Sequence, residues 1–535
     1  MATTGGHMKH IIGTALAGAF IAVGALAAPP PATIVATEAG QVAGTAQGPV
    51  AAFLGVPFAA PPVGANRWRA PQPLAAWRGV RPARDFAASC YQMHPAPTFG
   101  PYTHEFVDTP APDEDCLYLN VWTPASKGAR LPVLVWIHGG GFLGGSGAVP
   151  IYDGARLAAR GAVVVTINYR VGPFGFLAHP ALSAEDPRHG SGNYGLQDQI
   201  AALRWIQRNI AGFGGDPGCV TIAGQSAGAA SVNDLMVAPD ATGLFQRAIA
   251  ESGSGMGIDA APLAQAEKDG LAFADYLGAR TLAELRALPA ARIQSGVYLP
   301  IAPGAAASKA PRLRFRPVLD GAVLPVDPNQ PASRVSSLVP FITGYNADEA
   351  LAPPTMTRAD FEREVRTRYQ AHADRLLALY PHATDAEAAA SASLLARDRY
   401  MASLVLWAGA RVKASGQILY AYRFDHAVPV AKPPGFGAFH TAEVPYLFGV
   451  LDTKLRPYGD EDRKVSAQVQ AYWLNFMRNG DPNVGGQPAW PKVTADGRSV
   501  LSLGTQPGVR PAVSSPERFE ALRAFVADGG ALSLF

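Results

Sequence analysis

Five runs of apolar residues along the chain predict buried β-strands. They cover residues 131–137, 162–168, 220–223, 338–343 and 418–424. The apolar residues are continuous rather than alternating, so both faces of each strand should be covered. Between the second and third runs, apolar side chains recur every three or four residues from Leu196 to Ile210, which indicates an amphipathic helix. Strands separated by helices predict a mostly parallel sheet with helices on both faces.

The remaining pattern predicts one large folded unit. Residues 360–403 form a second helix-rich region, and the body of the chain holds no clean linker. Residues 29–535 are therefore predicted to be a single α/β domain with large loop and helical insertions. The net charge of +3 on 535 residues gives no reason to expect a nucleic-acid partner.

The amino-terminal segment has the pattern of a secretory leader. Lys9 and His10 precede an apolar run over residues 11–26, and Ala-Leu-Ala at residues 25–27 offers a cleavage site. Residues 1–28 are predicted to be a tag remnant plus a cleaved signal, so the mature protein is expected to be secreted or periplasmic and to lack a membrane span. The alternative is a membrane anchor, which needs about 20 apolar residues, and this run is shorter.

The chain has three cysteines. Cys90 and Cys116 lie close in sequence among loop residues, and export would place them in an oxidising compartment. We predict that they form a disulfide; two buried thiols are the alternative. Cys219 begins an apolar run and is predicted to be a buried free thiol that packs as a small hydrophobe.

Residues 224–228 (GQSAG) directly follow a predicted strand, and further small residues continue them as a helix start would. This is the G-x-S-x-G nucleophile elbow, in which a sharp turn pushes the serine hydroxyl out over the sheet edge. Glycines two positions before and after the serine let the strand and helix approach closely. Ser226 is therefore the predicted nucleophile, with a plain small-residue turn as the alternative.

A second glycine motif, residues 138–142 (HGGGF), follows the first predicted strand. Successive glycines expose backbone N–H groups, which an oxyanion hole needs for the tetrahedral intermediate. The predicted donors are the N–H groups of Gly140, Gly141 and, from the elbow, Ala227. His138 could serve as a catalytic base, but its place in this loop favours an orienting role.

Together the two motifs resemble the type-B carboxylesterase family, relatives of the cholinesterases. The resemblance extends over nearly the whole mature chain and rests also on residues 53–62 (FLGVPFAAPP), 114–121 (EDCLYLNV), 168–170 (NYR), 213–217 (FGGDP), 475–476 (NF) and 480–483 (GDPN). It implies the α/β-hydrolase fold with a mostly parallel, mixed central sheet. The Cys90–Cys116 pair also matches the family's first disulfide, and the high Ala and Pro content favours a bacterial member.

The resemblance also implies the other two members of a Ser–acid–His triad. The acid loop, residues 344–349 (GYNADE), points to Glu349, with Asp348 as its rival; the family usually has Gly where Ala350 stands. Residues 439–449 (FHTAEVPYLFG) resemble the family's histidine loop, so His440 is the implied base. His426 lacks this context and is expected to be a surface or capping residue.

These residues imply hydrolysis of a small-molecule carboxylic ester through an acyl-enzyme, without a metal or cofactor. Ser252 matches a family serine that supports the acid, with a plain turn serine as the alternative. Two other functions stay open. One is an esterase for long acyl chains or for a specialised ester such as a polyester or a toxin; the other is a non-catalytic adhesion protein, although such relatives typically lack a triad member. The sequence assigns no oligomeric state.

Overall fold

The computed structural model describes residues 1–3, 33–124, 129–255, 260–299, 308–330, 332–349, 356–431 and 435–533. The predicted leader over residues 9–27 and the departure from the family at Ala350 lie outside these ranges. None of the helices in the described ranges combines the length and apolar character that crossing a bilayer requires.

The strands are β1 Ile34–Ala36, β2 Gln41–Ala43, β3 Thr45–Gln47, β4 Val50–Pro57, β5 Val80–Pro82, β6 Ser89–Cys90, β7 Pro112–Asp113, β8 Tyr118–Thr123, β9 Leu131–Ile137, β10 Val163–Ile167, β11 Gly215–Gln225, β12 Arg247–Glu251, β13 Ala261–Pro262, β14 Val318–Leu319, β15 Phe341–Asn346, β16 Leu419–Phe424, β17 Ser499–Leu503 and β18 Gly508–Pro511.

The α-helices are α1 His104–Val107, α2 Ala155–Ala158, α3 Gly172–Phe176, α4 Pro180–Glu185, α5 Tyr194–Asn209, α6 Ala227–Val237, α7 Leu263–Leu277, α8 Leu282–Ala287, α9 Ala290–Gln294, α10 Arg358–Tyr369, α11 Ala373–Leu379, α12 Asp385–Ser415, α13 Val444–Phe448, α14 Asp460–Asn479 and α15 Pro516–Ala527. Short 3-10 helices cover Gly64–Asn66, Pro150–Tyr152, Ile210–Phe213, Pro239–Ala241 and Gln370–His372.

An eleven-stranded sheet organises the molecule, in the order β18-β17-β16-β15-β12-β11-β9-β10-β8-β4-β3. The strands from β17 to β10 are parallel to their neighbours. Antiparallel pairing occurs only towards the edges of this sheet, at β18 on one side and at β8, β4 and β3 on the other. The predicted mixed, mostly parallel sheet is thus confirmed.

Strand β9 shows why the apolar runs are continuous. Val135 belongs to a hydrophobic cluster that includes Leu203 of α5, whereas the adjacent Trp136 belongs to a second cluster that includes Trp473 of α14. Successive side chains of a strand point to opposite faces, so a sheet covered by helices on both faces needs apolar residues at every position.

The predicted disulfide is present between Cys90 and Cys116, whose side chains are buried. It closes a loop over a sequence separation of 26 residues. In the chain-entropy model such a loop contributes about 3.5 kcal/mol to the free energy of unfolding. We therefore expect the double variant C90S/C116S to lose about 3 kcal/mol in denaturant unfolding, with C219S as the control. A loss below about 1 kcal/mol would show that the bond contributes little to stability.

Cys219 is free, as predicted, but it is half-buried rather than buried. It lies inside β11, which begins earlier than expected, at Gly215. The register between β11 and β9 shifts between Gly215 and Val220, so the stretch holding Cys219 is not packed into the regular ladder.

Candidate active site

The three predicted triad residues lie beyond the carboxyl ends of parallel strands. Ser226 follows β11 directly, Glu349 follows the end of β15 by three residues, and His440 lies in the segment after β16. In α/β sheets the carboxyl ends of parallel strands meet at one edge, where loops converge and ligands bind. The topology therefore collects these residues at one side of the sheet.

Ser226 has a strained backbone at the junction between strand and helix. Its φ is 58° and its ψ is −122°, and α6 begins at the next residue. A positive φ is uncommon for a residue other than glycine and persists only where the surrounding structure enforces it. The Ser226 N–H donates to the carbonyl oxygen of Glu251 in β12 (2.9 Å), which fixes the turn against the neighbouring strand.

The glycines on either side of Ser226 are required by close backbone contacts. A Cβ atom on Gly224 would lie 2.6 Å from the carbonyl group of Gly228, and one on Gly228 would lie 2.0 Å from the carbonyl oxygen of Ile137. Real Cβ atoms do not approach backbone atoms this closely. The G-x-S-x-G spacing therefore reflects how tightly β9, β11 and α6 meet at the elbow.

The glycine loop lies directly against Ser226. A Cβ atom on Gly139 would lie 3.1 Å from Cβ of Ser226. The carbonyl oxygen of Gly140 accepts from two later N–H groups of the loop, which closes the turn. Within the described ranges, the N–H groups of Gly140 and Gly141 donate to no protein acceptor. Ala227 is the first residue of α6, where backbone N–H groups lack helical acceptors. These donors are available to an oxyanion.

His138 lies beneath this loop. It is 1% exposed, its ring stacks on Tyr169 with centroids 4.3 Å apart, and Nδ1 lies 2.8 Å from the carbonyl oxygen of Gly139. Burial lowers the pKa of His138 to about 4. These contacts favour the orienting role over that of a base.

Glu349 and His440 are in direct contact. Oε2 of Glu349 lies 2.5 Å from Nδ1 of His440. The other oxygen, Oε1, accepts from the Ser252 hydroxyl (2.6 Å) and from the backbone N–H of Asn346 (2.8 Å). Both residues of the pair are buried. The carboxylate is thus held by several donors while it faces the imidazole.

The environment of His440 favours its protonated form. Burial by itself would lower the pKa of the imidazole, but the Glu349 carboxylate, with a smaller contribution from Glu443, raises it above its ordinary value. The Tyr102 hydroxyl donates to the His440 carbonyl oxygen (2.9 Å) and anchors the loop. The site can therefore stabilise an imidazolium that forms during a reaction.

Gln225, the residue before Ser226, contacts the imidazole of His440. Nε2 of the Gln225 amide lies 3.1 Å from Nε2 of His440. Among the described residues, no hydrogen bond connects the Ser226 hydroxyl to His440 itself. The structure therefore brings Glu349 and His440 together. A hydrogen bond between Ser226 and His440 would require Nε2 of His440 to leave the Gln225 amide and bind the Ser226 hydroxyl.

The two alternative residues, Asp348 and His426, contact groups other than Glu349 and His440. Asp348 accepts from Arg397 (2.6 Å) and from the backbone N–H of Ala438 (3.0 Å), with a side chain that is 37% exposed. Nε2 of His426 lies 2.8 Å from Asp462, whose other oxygen caps α14. Of the two expectations for His426, the surface position is wrong, since its side chain is only 10% exposed. The capping alternative agrees with its contact, because His426 supports the carboxylate that caps α14.

Sequence reasoning missed four polar residues at this site: Gln225, Glu251, Asn346 and Glu443. Glu251 ends an otherwise apolar strand, and Glu443 lies between Ala442 and an apolar helix start. A charged residue inside an apolar run was the available signal, because an ionisable side chain is seldom fully buried without a partner. Gln225 and Asn346 carried no such signal.

Comparison with known proteins agrees with this architecture. The model of the Carboxylesterase family matches residues 31–518. The chain belongs to the carboxylesterase family. This esterase is 37% identical over 493 residues to a fumonisin B1 esterase of Sphingopyxis macrogoltabida, covering 88% of this chain and 86% of that protein. It is 36% identical over 492 residues to a para-nitrobenzyl esterase of Bacillus subtilis, covering 88% and 95%.

Solved structures give the same result. A structure of a PNB esterase matches the esterase with a TM-score of 0.75 and 32% identity, over 92% of this chain and 99% of that chain. A thermophilic PNB esterase matches with a TM-score of 0.74 over the same shares. The α/β-hydrolase fold and the family predicted from the sequence are confirmed, and the esterase is a carboxylic ester hydrolase.

Proposed function

We propose that this esterase cleaves carboxylic esters to an acid and an alcohol through an acyl-enzyme on Ser226. The observation that carries the proposal is the contact between Glu349 and Nδ1 of His440 beside the strained elbow of Ser226. With Nδ1–H donated to Glu349, Nε2 of the neutral imidazole is left as an acceptor and can serve as the base.

The reaction then proceeds in two halves. His440 takes the Ser226 proton as Oγ attacks the ester carbonyl, and the resulting imidazolium gives that proton to the departing alcohol. Water, deprotonated by His440, attacks the acyl-enzyme, and the proton returns to Ser226 as the acid leaves. Glu349 keeps the imidazole in the required tautomer and stabilises its charge throughout, while Ser252 holds Glu349 in place.

The N–H groups of Gly140, Gly141 and Ala227 would bind the oxyanion of both tetrahedral intermediates. Their availability within the described ranges supports this role. Losing one such donor costs about 3 kcal/mol of transition-state stabilisation in a comparable hydrolase. Because the glycines have no side chains, the carbonyl carbon can approach Ser226 while its oxygen reaches all three donors.

The raised pKa of His440 predicts the position of the acidic limb of activity. The base acts in its neutral form, so kcat/KM should rise as pH increases through the imidazole pKa. Since Glu349 raises this pKa above 6.5 in spite of burial, we expect half-maximal kcat/KM above pH 6.5. The measurement is p-nitrophenyl acetate hydrolysis over a pH series, read at the isosbestic wavelength. A midpoint well below 6.5 would contradict the assigned environment of the base.

The substrate class is tested with p-nitrophenyl esters from acetate to palmitate. One relative is named para-nitrobenzyl esterase, which supports a small-ester substrate for this chain, and activity should then be highest on the short chains. A maximum at palmitate would support a long-chain esterase. Inertness on the whole series would favour a specialised ester, as the name fumonisin B1 esterase illustrates, or a binding protein.

We also propose that the mature esterase is one domain from residue 29 onward and works outside the cytoplasm after removal of its leader. The disulfide between Cys90 and Cys116 supports this location, because such bonds persist in oxidising compartments.

A further inference from the structure

Two glutamates without a role in the proposed chemistry lie behind the triad. Glu251 is the last residue of β12, and Glu443 precedes α13, three residues after His440. Their relative exposures are 0% and 2%. Carboxyl groups are rarely buried this completely unless they are paired, so their contacts need an explanation.

Each glutamate uses one oxygen for a conventional donor. Oε1 of Glu251 accepts from Nε1 of Trp473 (2.8 Å), and Oε2 of Glu443 accepts from Nδ2 of Asn346. Within the described ranges, Oε2 of Glu251 and Oε1 of Glu443 find no such donor. The neighbouring Glu443 carboxyl, together with burial, raises the pKa of Glu251. Two ionised carboxylates have no proton to donate, so the two unpartnered oxygens can be satisfied within the pair only if one member carries a proton.

The surroundings also disfavour two negative charges. The titratable groups that face the pair are Glu349, His440 and the phenols of Tyr102, Tyr152 and Tyr422. Among them only His440 can become a cation. If both members of the pair were ionised, three carboxylate charges including that of Glu349 would be buried beside at most one cation, which is strongly unfavourable.

The pair is connected to both catalytic loops. The Asn346 side chain donates to Glu443 and to the carbonyl oxygen of Phe439 (2.7 Å), the residue before His440. The backbone N–H of the same Asn346 donates to Glu349. Glu443 therefore holds the Asn346 side chain in place, and Asn346 links the loop of Glu349 to the loop of His440.

We propose that Glu251 and Glu443 share one proton and act as a positioning pair that keeps a single negative charge behind His440. Glu443 holds the two loops in register through Asn346, and the pair's charge favours the imidazolium. The effect on His440 rests on the proposed function, whereas the shared proton does not.

The pH dependence of stability follows from the same environment. Burial and Glu349 raise the pKa of Glu443 to about 7, and burial and Glu443 raise that of Glu251. A carboxyl whose pKa is higher in the folded state stabilises the fold at low pH. That stability is lost as pH rises from the ordinary glutamate value of 4.5 through the folded pKa. The wild-type Tm should therefore fall across this window.

The first test detects the proton directly in the full-length protein. Infrared spectra at neutral pH should contain the C=O stretch of a protonated carboxyl group, and both E251Q and E443Q should lose it. Asp234 is the control, because it is also buried with a raised pKa but lies outside the pair. D234N should leave the glutamate band in place. A band unchanged in both glutamine variants would overturn the shared proton, whatever the enzyme's activity.

The second test measures how kcat and its pH dependence change with the number of negative charges on the pair. Each single variant replaces the shared proton with an amide N–H donor and keeps one negative charge, so kcat should fall less than about tenfold. Its Tm should also depend less on pH than that of the wild type. The double variant E251Q/E443Q removes the charge. Its kcat should fall on the order of 50-fold, and its acidic limb should move to lower pH because the pKa of His440 decreases.

Two results would contradict the positioning role. If the double variant kept the wild-type acidic limb, the pair would not act on His440. If each single variant moved the limb about half as far as the double variant does, both glutamates would be ionised in the wild type. Circular dichroism of each variant identifies losses that come from misfolding. Failure of the triad itself would instead leave the infrared and Tm results intact.

Discussion

Replacing Ser226 with alanine should lower kcat on p-nitrophenyl acetate by about a million-fold, as loss of the nucleophile does in another serine hydrolase. Without Oγ no acyl-enzyme forms, and only the oxyanion donors and substrate binding remain to assist water. Alanine keeps the Cβ atom of serine, so the strained backbone at φ 58° meets no new contact. The variant should therefore fold with a wild-type Tm.

The control for this variant is S231A, on the same helix and outside the site. The Ser231 hydroxyl accepts from Gln199, so its removal tests the loss of a buried hydroxyl by itself. Mass spectrometry after reaction with a fluorophosphonate should show one adduct on the wild type and on S231A, and none on S226A. If S226A kept more than about one per cent of the activity, a different residue would be the nucleophile.

Replacing Glu349 with glutamine should lower kcat by about ten thousand-fold, the effect of the equivalent change in a related triad. The amide keeps the size of the side chain but removes the charge that stabilises the imidazolium. It also allows an N–H group to face Nδ1, which favours the wrong tautomer. Because the carboxylate is the main group that raises the pKa of His440, the residual activity should have its acidic limb at lower pH.

D348N is the matched control, one residue away and with the same chemical change. Asp348 contacts Arg397 and Ala438 rather than His440, and it is partly exposed. Its replacement should change kcat by less than about threefold, because a partly exposed ion pair contributes little. If D348N were the inactive variant and E349Q the active one, the acid would be Asp348. The two kcat values measured side by side decide between them.

The sequence predicted most accurately the elements whose burial is uniform. The run at residues 131–137 coincides with β9, and residues 418–424 differ from β16 by one residue. The run at residues 338–343 was misplaced, since β15 covers Phe341–Asn346. A local turn, in which Val339 N–H donates to Ser337, precedes the strand, while polar Asn346 extends it by pairing with Phe424. The pattern of apolar residues predicts neither the turn nor the extension of the strand.

The residues of the site also differ in how well the sequence predicts them. Residues with a fixed local pattern, such as Ser226 and the glycine loop, were visible because the backbone geometry dictates the spacing. Glu349 and His440 needed a family resemblance, since a triad fixes positions in space but not separations along the chain. Glu251 and Glu443 come together only when β12 and the loop before α13 are packed, so their pairing could not be read from either segment alone.

The long separations within the site have a consequence for the kinetics of folding. His440 is 91 residues from Glu349 and 215 residues from Gln225, and the central sheet pairs strands across similar distances. Contacts between remote segments form slowly, because the entropy of loop closure must be overcome before they stabilise anything. On refolding, helical signal should recover early. Ester hydrolysis should return only with the slowest long-range strand pairing, which makes activity a reporter of the last folding step.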